Sequence, residues 1–197
     1  LHPDHAHCNS MALTPMTLTA RLIKHEHPNA KVVFIGPCAA KKLEAMRKSV
    51  RSEVDFVLTF EEMAGIFAAK HVDLTTIEED PDGVNDASTD GRSFAVGGGV
   101  AKAVVNVIQH RYPGREVKVT SSQGLRECRK MMQEAVAGKY PGYLLEGMAC
   151  PGGCVAGAGT ITPVRESTLN VEKFKKEAAE VSSTASPYVD RLKDVEE

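Results

Sequence analysis

The chain has 197 residues, 24 Lys plus Arg against 26 Asp plus Glu, and a formal net charge of −2. At roughly 100 to 200 residues per domain, that length allows one large or two small domains with a buried core. Balanced charge without a basic block excludes a nucleic-acid scaffold, and no apolar run approaches the roughly 20 residues that cross a bilayer, so no membrane role is expected.

The opening LHPDHAHCNS begins on Leu1 rather than Met and reads as the interior of a longer polypeptide. His2, His5 and His7 beside Cys8 are simplest as a His-rich chain end, with a metal patch as the alternative. From Pro15 to His25, Met16, Leu18, Leu22 and Ile23 fall near one face at helical spacing, with Thr14 as N-cap, which predicts a helix ending before Pro28. Lys31 to Ile35 (KVVFI) is a short apolar run closed by Gly36 and Pro37, the pattern of a buried strand, so Cys38 falls just past a carboxyl end. Lys41 to Val50 is helical in composition, Val54 to Thr59 reads as a strand and Phe60 to Lys70 as a helix.

Glu78 to Asp90 (EEDPDGVNDASTD) is an acidic, turn-rich segment expected to be a solvated, mobile loop. Gly97 to Gly99 precede an apolar helix through Val104, Val105, Val107 and Ile108. They lack the residues of a phosphate loop and read as a place of close packing. Glu116 to Ser121 and Tyr143 to Leu145 are strands separated by a helix from Leu125 to Ala137, in which Cys128 beside Leu125, Met131 and Met132 is core filling. An amphipathic helix is expected from Val171 to Val181. The domain therefore spans 1–181, with 182–197 as a loose tail. Alternating strands and helices give an α/β class, a three-layer αβα lobe with a mostly parallel sheet of about four strands.

Five cysteines, an odd number without regular disulfide spacing, point to metal ligands or free thiols. Glu146 to Gly159 (EGMACPGGCVAGAG) sets Cys150 and Cys154 around two glycines, which let the backbone fold tightly around an inorganic centre and aim N–H groups at its sulfurs. Zinc, or a glycine turn with two buried thiols, remains open at this stage. In Gly36 to Glu44 (GPCAAKKLE), Lys41 and Lys42 follow Cys38 and place its thiol in positive potential. Both thiol loops follow parallel strands, whose carboxyl ends line the usual ligand crevice of an open α/β sheet, so the site is expected there.

Pro37, Cys38, Lys41, Lys42 and Glu44, together with Glu146, Met148, Ala149, Cys150, Gly152, Gly153 and Cys154, resemble two signatures of the hydrogen-cluster domain of iron-only, or [FeFe], hydrogenases. The likeness runs on through VDFVLTFEEMAG and FAVGGGVAKAV to about Lys176. It implies that Cys38, Cys150 and Cys154 are thiolate ligands of a [4Fe-4S] cluster linked to a diiron centre, with Cys154 bridging. It also implies that Lys41 donates to a cyanide on the diiron unit, that Met148 packs against that unit, and that Glu44 belongs to a proton path.

The first signature of that family is not matched. Its fourth cluster ligand falls at Thr14 and its proton-relaying Cys at Leu13, while Gly36 stands before Pro37 where catalytic members carry Met, and the third signature continues as GAGTITPV. These departures resemble sensory or otherwise divergent branches and imply slow hydrogen turnover. The expected function is part of an oxidoreductase interconverting H2 with protons and electrons. Its implied partners are a ferredoxin-type electron donor and an N-terminal lobe of the same polypeptide. A non-catalytic hydrogen-sensing or iron-sulfur module of a signalling protein is the alternative, and a metal-free interaction surface a third. A cytoplasmic setting is expected.

Overall fold

A computed structural model describes all residues except 1, 79, 81, 82, 84 and 195–197; part of the acidic loop and the extreme tail therefore lie outside the described residues. Helix α1 (Pro15–Glu26) starts as its sequence predicts: Thr14 accepts a hydrogen bond from the Thr17 N–H, Pro15 occupies the first turn, and Met16, Thr17 and Ala20 are buried. Strand β1 (Val33–Gly36) leads into α2 (Ala40–Met46), and β2 (Phe56–Thr59) leads directly into α3 (Phe60–Ala69). A capping box makes that last junction sharp, because Thr59 Oγ1 accepts from the Glu62 N–H at 3.2 Å while Glu62 Oε2 accepts from the Thr59 N–H at 2.8 Å.

The second half repeats the alternation. A short α4 (Thr89–Arg92) and then α5 (Gly99–Arg111) precede β3 (Lys118–Gln123), α6 (Leu125–Val136), β4 (Tyr143–Met148) and α7 (Val164–Phe174). β1 pairs in parallel with β2, and β3 in parallel with β4. The α/β class and four parallel strands of the sequence reading are present, divided between two pairs instead of joined in one sheet. Parallel strands are ordinarily covered on both faces. Here Val33, Ile35 and Phe56, which the register sets on one face of the first pair, remain 46%, 45% and 61% exposed.

Two expectations change. The last helix occupies Val164–Phe174 rather than 171–181: Pro163 sets its start, and the Glu180 and Val181 carbonyls accept from the Thr89 and Asp90 N–H groups at 2.8 and 3.0 Å. Those N–H groups belong to the first turn of α4, which has no intrahelical acceptors, and their acceptors lie beyond α7. The acidic loop is exposed at its described residues 78, 80, 83 and 85–87, as expected, and only its end departs: Ser88 and Asp90, with Arg92 just beyond it, are 3–7% exposed. The Arg92 guanidinium donates to the Ala87, Asn85 and Phe174 carbonyls and to Asn85 Oδ1, and lies 3.9 Å from the Phe174 ring centre. Farther along, the Tyr188 hydroxyl donates to Asp86, and Arg191 pairs with Glu26 at 3.1 Å, so the segment beyond residue 182 reaches back to the acidic loop and to the end of α1.

Candidate metal centre

β1 delivers Pro37 and Cys38, and β4 delivers the loop that carries Cys150 and Cys154. The two loops touch through backbone: the Gly159 N–H donates to the Pro37 carbonyl at 2.9 Å, and a methyl group on Gly157 would collide with that same carbonyl. On its other side the loop is wedged against the turn before α5. A Cβ on Gly153 would stand 2.6 Å from the Gly97 nitrogen and 2.9 Å from the Ala95 carbonyl oxygen, and Gly153 itself has φ +91°. The Gly152 N–H donates to Gln123 Oε1 at 2.6 Å, tying the loop to the end of β3.

The thiols gather in one electrostatic neighbourhood. Burial pushes the Cys154 thiol above its ordinary value, the charges of Cys38 and Cys150 push it further, and Lys41 opposes them. All three cysteines are free and partly buried. The two lysines that follow Cys38 divide. Lys42 turns away, donating to Glu62 at 2.8 Å and to the Val57 carbonyl at 2.9 Å, and so secures β2 against α2. Lys41 stays beside the thiols and pairs with Glu44 at 2.6 Å.

Glu44 is held from three sides. Besides Lys41, the Thr14 hydroxyl donates to its Oε1, and the Thr17 hydroxyl donates to the same oxygen at 3.3 Å. Burial would raise its pKa, but the hydrogen bonds from Lys41 and Thr14 outweigh that and hold the carboxyl below its ordinary value. Thr14 therefore caps α1 and reaches the α2 face that carries Lys41. Met148 is the last residue of β4, two positions before Cys150, and its carbonyl accepts from the Gly124 N–H at 2.8 Å.

Sequence reasoning missed the work of Glu146. Its carboxylate is 8% exposed and accepts from the Gly98 N–H at 2.7 Å and the Ala101 N–H at 3.1 Å, so it caps α5 from a neighbouring strand. A signal existed. A helix that begins on glycines has no side-chain cap of its own, and its first N–H groups need an acceptor from elsewhere. The glycines themselves fit the expected close packing: Gly97 meets Gln123 at the end of β3, and Gly99 meets the Ser93 carbonyl.

Cys128 and Cys8 lie elsewhere. The Cys128 thiol donates to the Ser122 and Met148 carbonyls at 3.4 and 3.5 Å, under the face of β4 that Gly147 presents. Both cysteines line a cavity of about 740 Å³ between the N-terminal turn and α6, along with His2, His5 and Met131. Among the described residues, no three His, Cys, Asp or Glu side chains are grouped to hold a single metal ion. Tetrahedral zinc needs such a preformed set.

Two pairs of parallel strands, with β1 running into the Cys38 loop and β4 into the Cys150 to Cys154 loop, define an α/β protein whose two cysteine loops meet through backbone. The sequence profile described as "Iron only hydrogenase large subunit, C-terminal domain" matches residues 1–158, and the chain belongs to that family. It is 29% identical over 178 residues to the periplasmic [Fe] hydrogenase large subunit of Nitratidesulfovibrio vulgaris, covering 73% of this chain and 42% of that protein. It is also 27% identical over 166 residues to cytosolic iron-sulfur assembly component 3 of Mus musculus, covering 66% of this chain and 35% of that one. The chain thus spans less than half the length of these relatives. Among solved structures, an [FeFe]-hydrogenase studied for oxygen inactivation of its H cluster shares the fold with a TM-score of 0.73 at 20% identity, over 99% of this chain and 66% of that chain. An [FeFe]-hydrogenase from Chlamydomonas reinhardtii gives 0.67 at 18% identity, over 92% and 64%. Among the described residues no helix is long and apolar enough to cross a membrane.

Proposed function

We propose that the chain holds an iron-sulfur cluster through Cys38, Cys150 and Cys154 and serves as the cluster-bearing part of a hydrogenase-like protein whose hydrogen turnover is slow or absent. The observation that carries this is the meeting of the two cysteine loops, where the Gly159 N–H donates to the Pro37 carbonyl at 2.9 Å and Gly157 lies against that same carbonyl, next to Cys38. When bound, the cluster would supply one-electron chemistry. The chain's own residues would hold it, exclude water at the Pro37 and Gly157 contact, and balance its charge through Lys41.

Two features support the non-catalytic side of the reading. Leu13 carries no titratable group to pass a proton, and the Lys41 ammonium is engaged by Glu44 instead of being free for a diiron unit. Relatives named as cytosolic iron-sulfur assembly proteins support the same side and a cytoplasmic setting. A second reading keeps the hydrogenase reaction, with H2 and protons as substrates, a diiron centre beside the cluster and a ferredoxin-type electron donor. It is favoured by the family match across both thiol loops. Either reading takes the rest of a longer polypeptide as the partner that covers Val33, Ile35 and Phe56.

Anaerobic reconstitution with iron and sulfide tests the proposal. A broad visible charge-transfer band is expected, and it should weaken strongly in Cys150→Ser, which removes one thiolate. A folded protein that stays colourless would refute the cluster. Hydrogen evolution matching a catalytic hydrogenase assayed alongside would transfer the argument to the second reading.

A further inference from the structure

Beyond α7 the chain turns back over the fold and is held there unevenly. At the near end the Glu180 and Val181 carbonyls accept from the Thr89 and Asp90 N–H groups, and the turn at Ser183–Ala185 packs on α4 and α5. At the far end the turn at Val189–Asp194 packs on α1. Two surface contacts secure it: the Tyr188 hydroxyl donates to Asp86 at 2.7 Å, and Arg191 pairs with Glu26, the two side chains being 52% and 41% exposed. Contacts between exposed charges hold weakly. No residue from 177 to 192 is buried, so this stretch adds nothing to the core. Its root is firmer. The Thr89 hydroxyl donates to the Lys175 carbonyl at 3.0 Å and the Arg92 guanidinium to the Phe174 carbonyl at 2.7 Å, which ties the end of α7 to α4.

Asp90, in the first turn of α4 beneath this stretch, is 3% exposed. Its Oδ1 accepts from the Asn106 amide of α5 at 2.8 Å, while its Oδ2 is shut away from solvent with no hydrogen-bond partner among the described residues. Donors on the adjoining segments are committed elsewhere. The Arg92 guanidinium, two residues on, also donates to Asn85 and Ala87, and the Ser182 and Thr184 hydroxyls bond to each other at 3.0 Å. A buried carboxyl oxygen without a donor carries a free-energy cost that contact with water removes.

We propose that residues 180–191 are a releasable strap: they lift from α4 and α1 as a unit while the rest of the domain stays folded, and the unpartnered Asp90 oxygen favours the lifted state, in which water reaches it. The hinge lies just past the Lys175 anchor. Lifting uncovers the Thr89 and Asp90 N–H groups and the Asp90 carboxyl together. The strap is independent of the iron-sulfur reading, since none of its contacts involves a cysteine.

Hydrogen exchange on the full chain, read as protection factors at single amides, tests the strap. In the wild type, the Thr89 and Asp90 amides should be protected at least ~10-fold less than the amides of Ala101 and Ala103, buried residues of α5 that lifting leaves in place. Asp90→Asn puts a neutral amide, cheaper to bury than a carboxyl, in the same space and should raise protection at Thr89 by ~10-fold. Asp90→Leu combined with Asn106→Leu replaces both partners by apolar groups of similar shape and should act in the same direction. Arg191→Ala should lower protection at Thr89 by ~2- to 5-fold and leave Ala101 unchanged. Equal protection at Thr89 and Ala101 in the wild type would mean that the strap opens only with the whole domain, which overturns the inference. So does a folded Asp90 variant whose Thr89 protection fails to rise. If the double variant does not fold, the wild type and Asp90→Asn still decide the question, and none of these readouts depends on iron.

Discussion

Beside Cys38, side chains make the structure: Lys41, Glu44, Thr14 and Thr17 form a polar chain joining α1 to α2. The Cys150 to Cys154 loop is held by backbone, through close approaches at Gly153 and Gly157, the Gly159 to Pro37 hydrogen bond and the Glu146 clamp on α5. The first arrangement can be retuned by single substitutions without moving the chain. The second tolerates almost none, because a backbone-to-backbone contact has no flexible atom to yield.

The sharpest way to break the contrast is Gly157→Ala, whose new methyl meets the Pro37 carbonyl. We expect a loss of ~3 kcal/mol in urea unfolding and poor cluster uptake, the cost of overpacking a rigid contact. Gly65→Ala, with nothing within 4 Å of its new methyl inside α3, should instead stabilise the protein by ~0.5–1 kcal/mol. Equal effects at the two glycines would remove the distinction. Next comes Glu146→Ala, which leaves the Gly98 and Ala101 N–H groups without their buried acceptor and should cost ~2 kcal/mol. Thermal melts of Glu146→Ala and Glu146→Gln would check this, with Gln retaining part of the loss because it still offers one acceptor.

On the side-chain half, Glu44→Gln should cost only ~1 kcal/mol or less at neutral pH, since the pair is partly exposed. Its pH dependence carries the information. The folded carboxyl is held below its ordinary value of 4.5, so its contribution is present above that pH and is lost as pH falls through the lower folded value. The stability gap between wild type and Glu44→Gln should therefore close on acidification. A gap that stays constant would mean the Lys41 pair does not depend on the charge of Glu44.

The regular elements were legible because their signals are local. Thr14 and Pro15 announce α1, the KVVFI run announces β1, and Thr59 with Glu62 encloses the start of α3. The two thiol loops were legible from type and spacing. What the sequence hid depends on partners far along the chain. Lys42 looks equivalent to Lys41 until Glu62 draws it away. Glu146 reads as part of a cysteine motif until α5 arrives without a cap. Arg92, just past the exposed acidic segment, is buried because Phe174 and three carbonyls receive it. α7 stops short of residue 181 for a similar reason: the Glu180 and Val181 carbonyls, at the end of its expected span, accept from the first turn of α4.

The bond from Gly159 to Pro37 joins residues about 120 positions apart. Closing so long a loop is an entropic cost that local helices do not share, and contacts of that range form late in folding. The meeting of the two cysteine loops is thus among the most entropically costly contacts of the molecule to close. Iron and sulfide bound across their thiols would close the loop from the other direction, linking the order in which the protein folds to the order in which it is loaded.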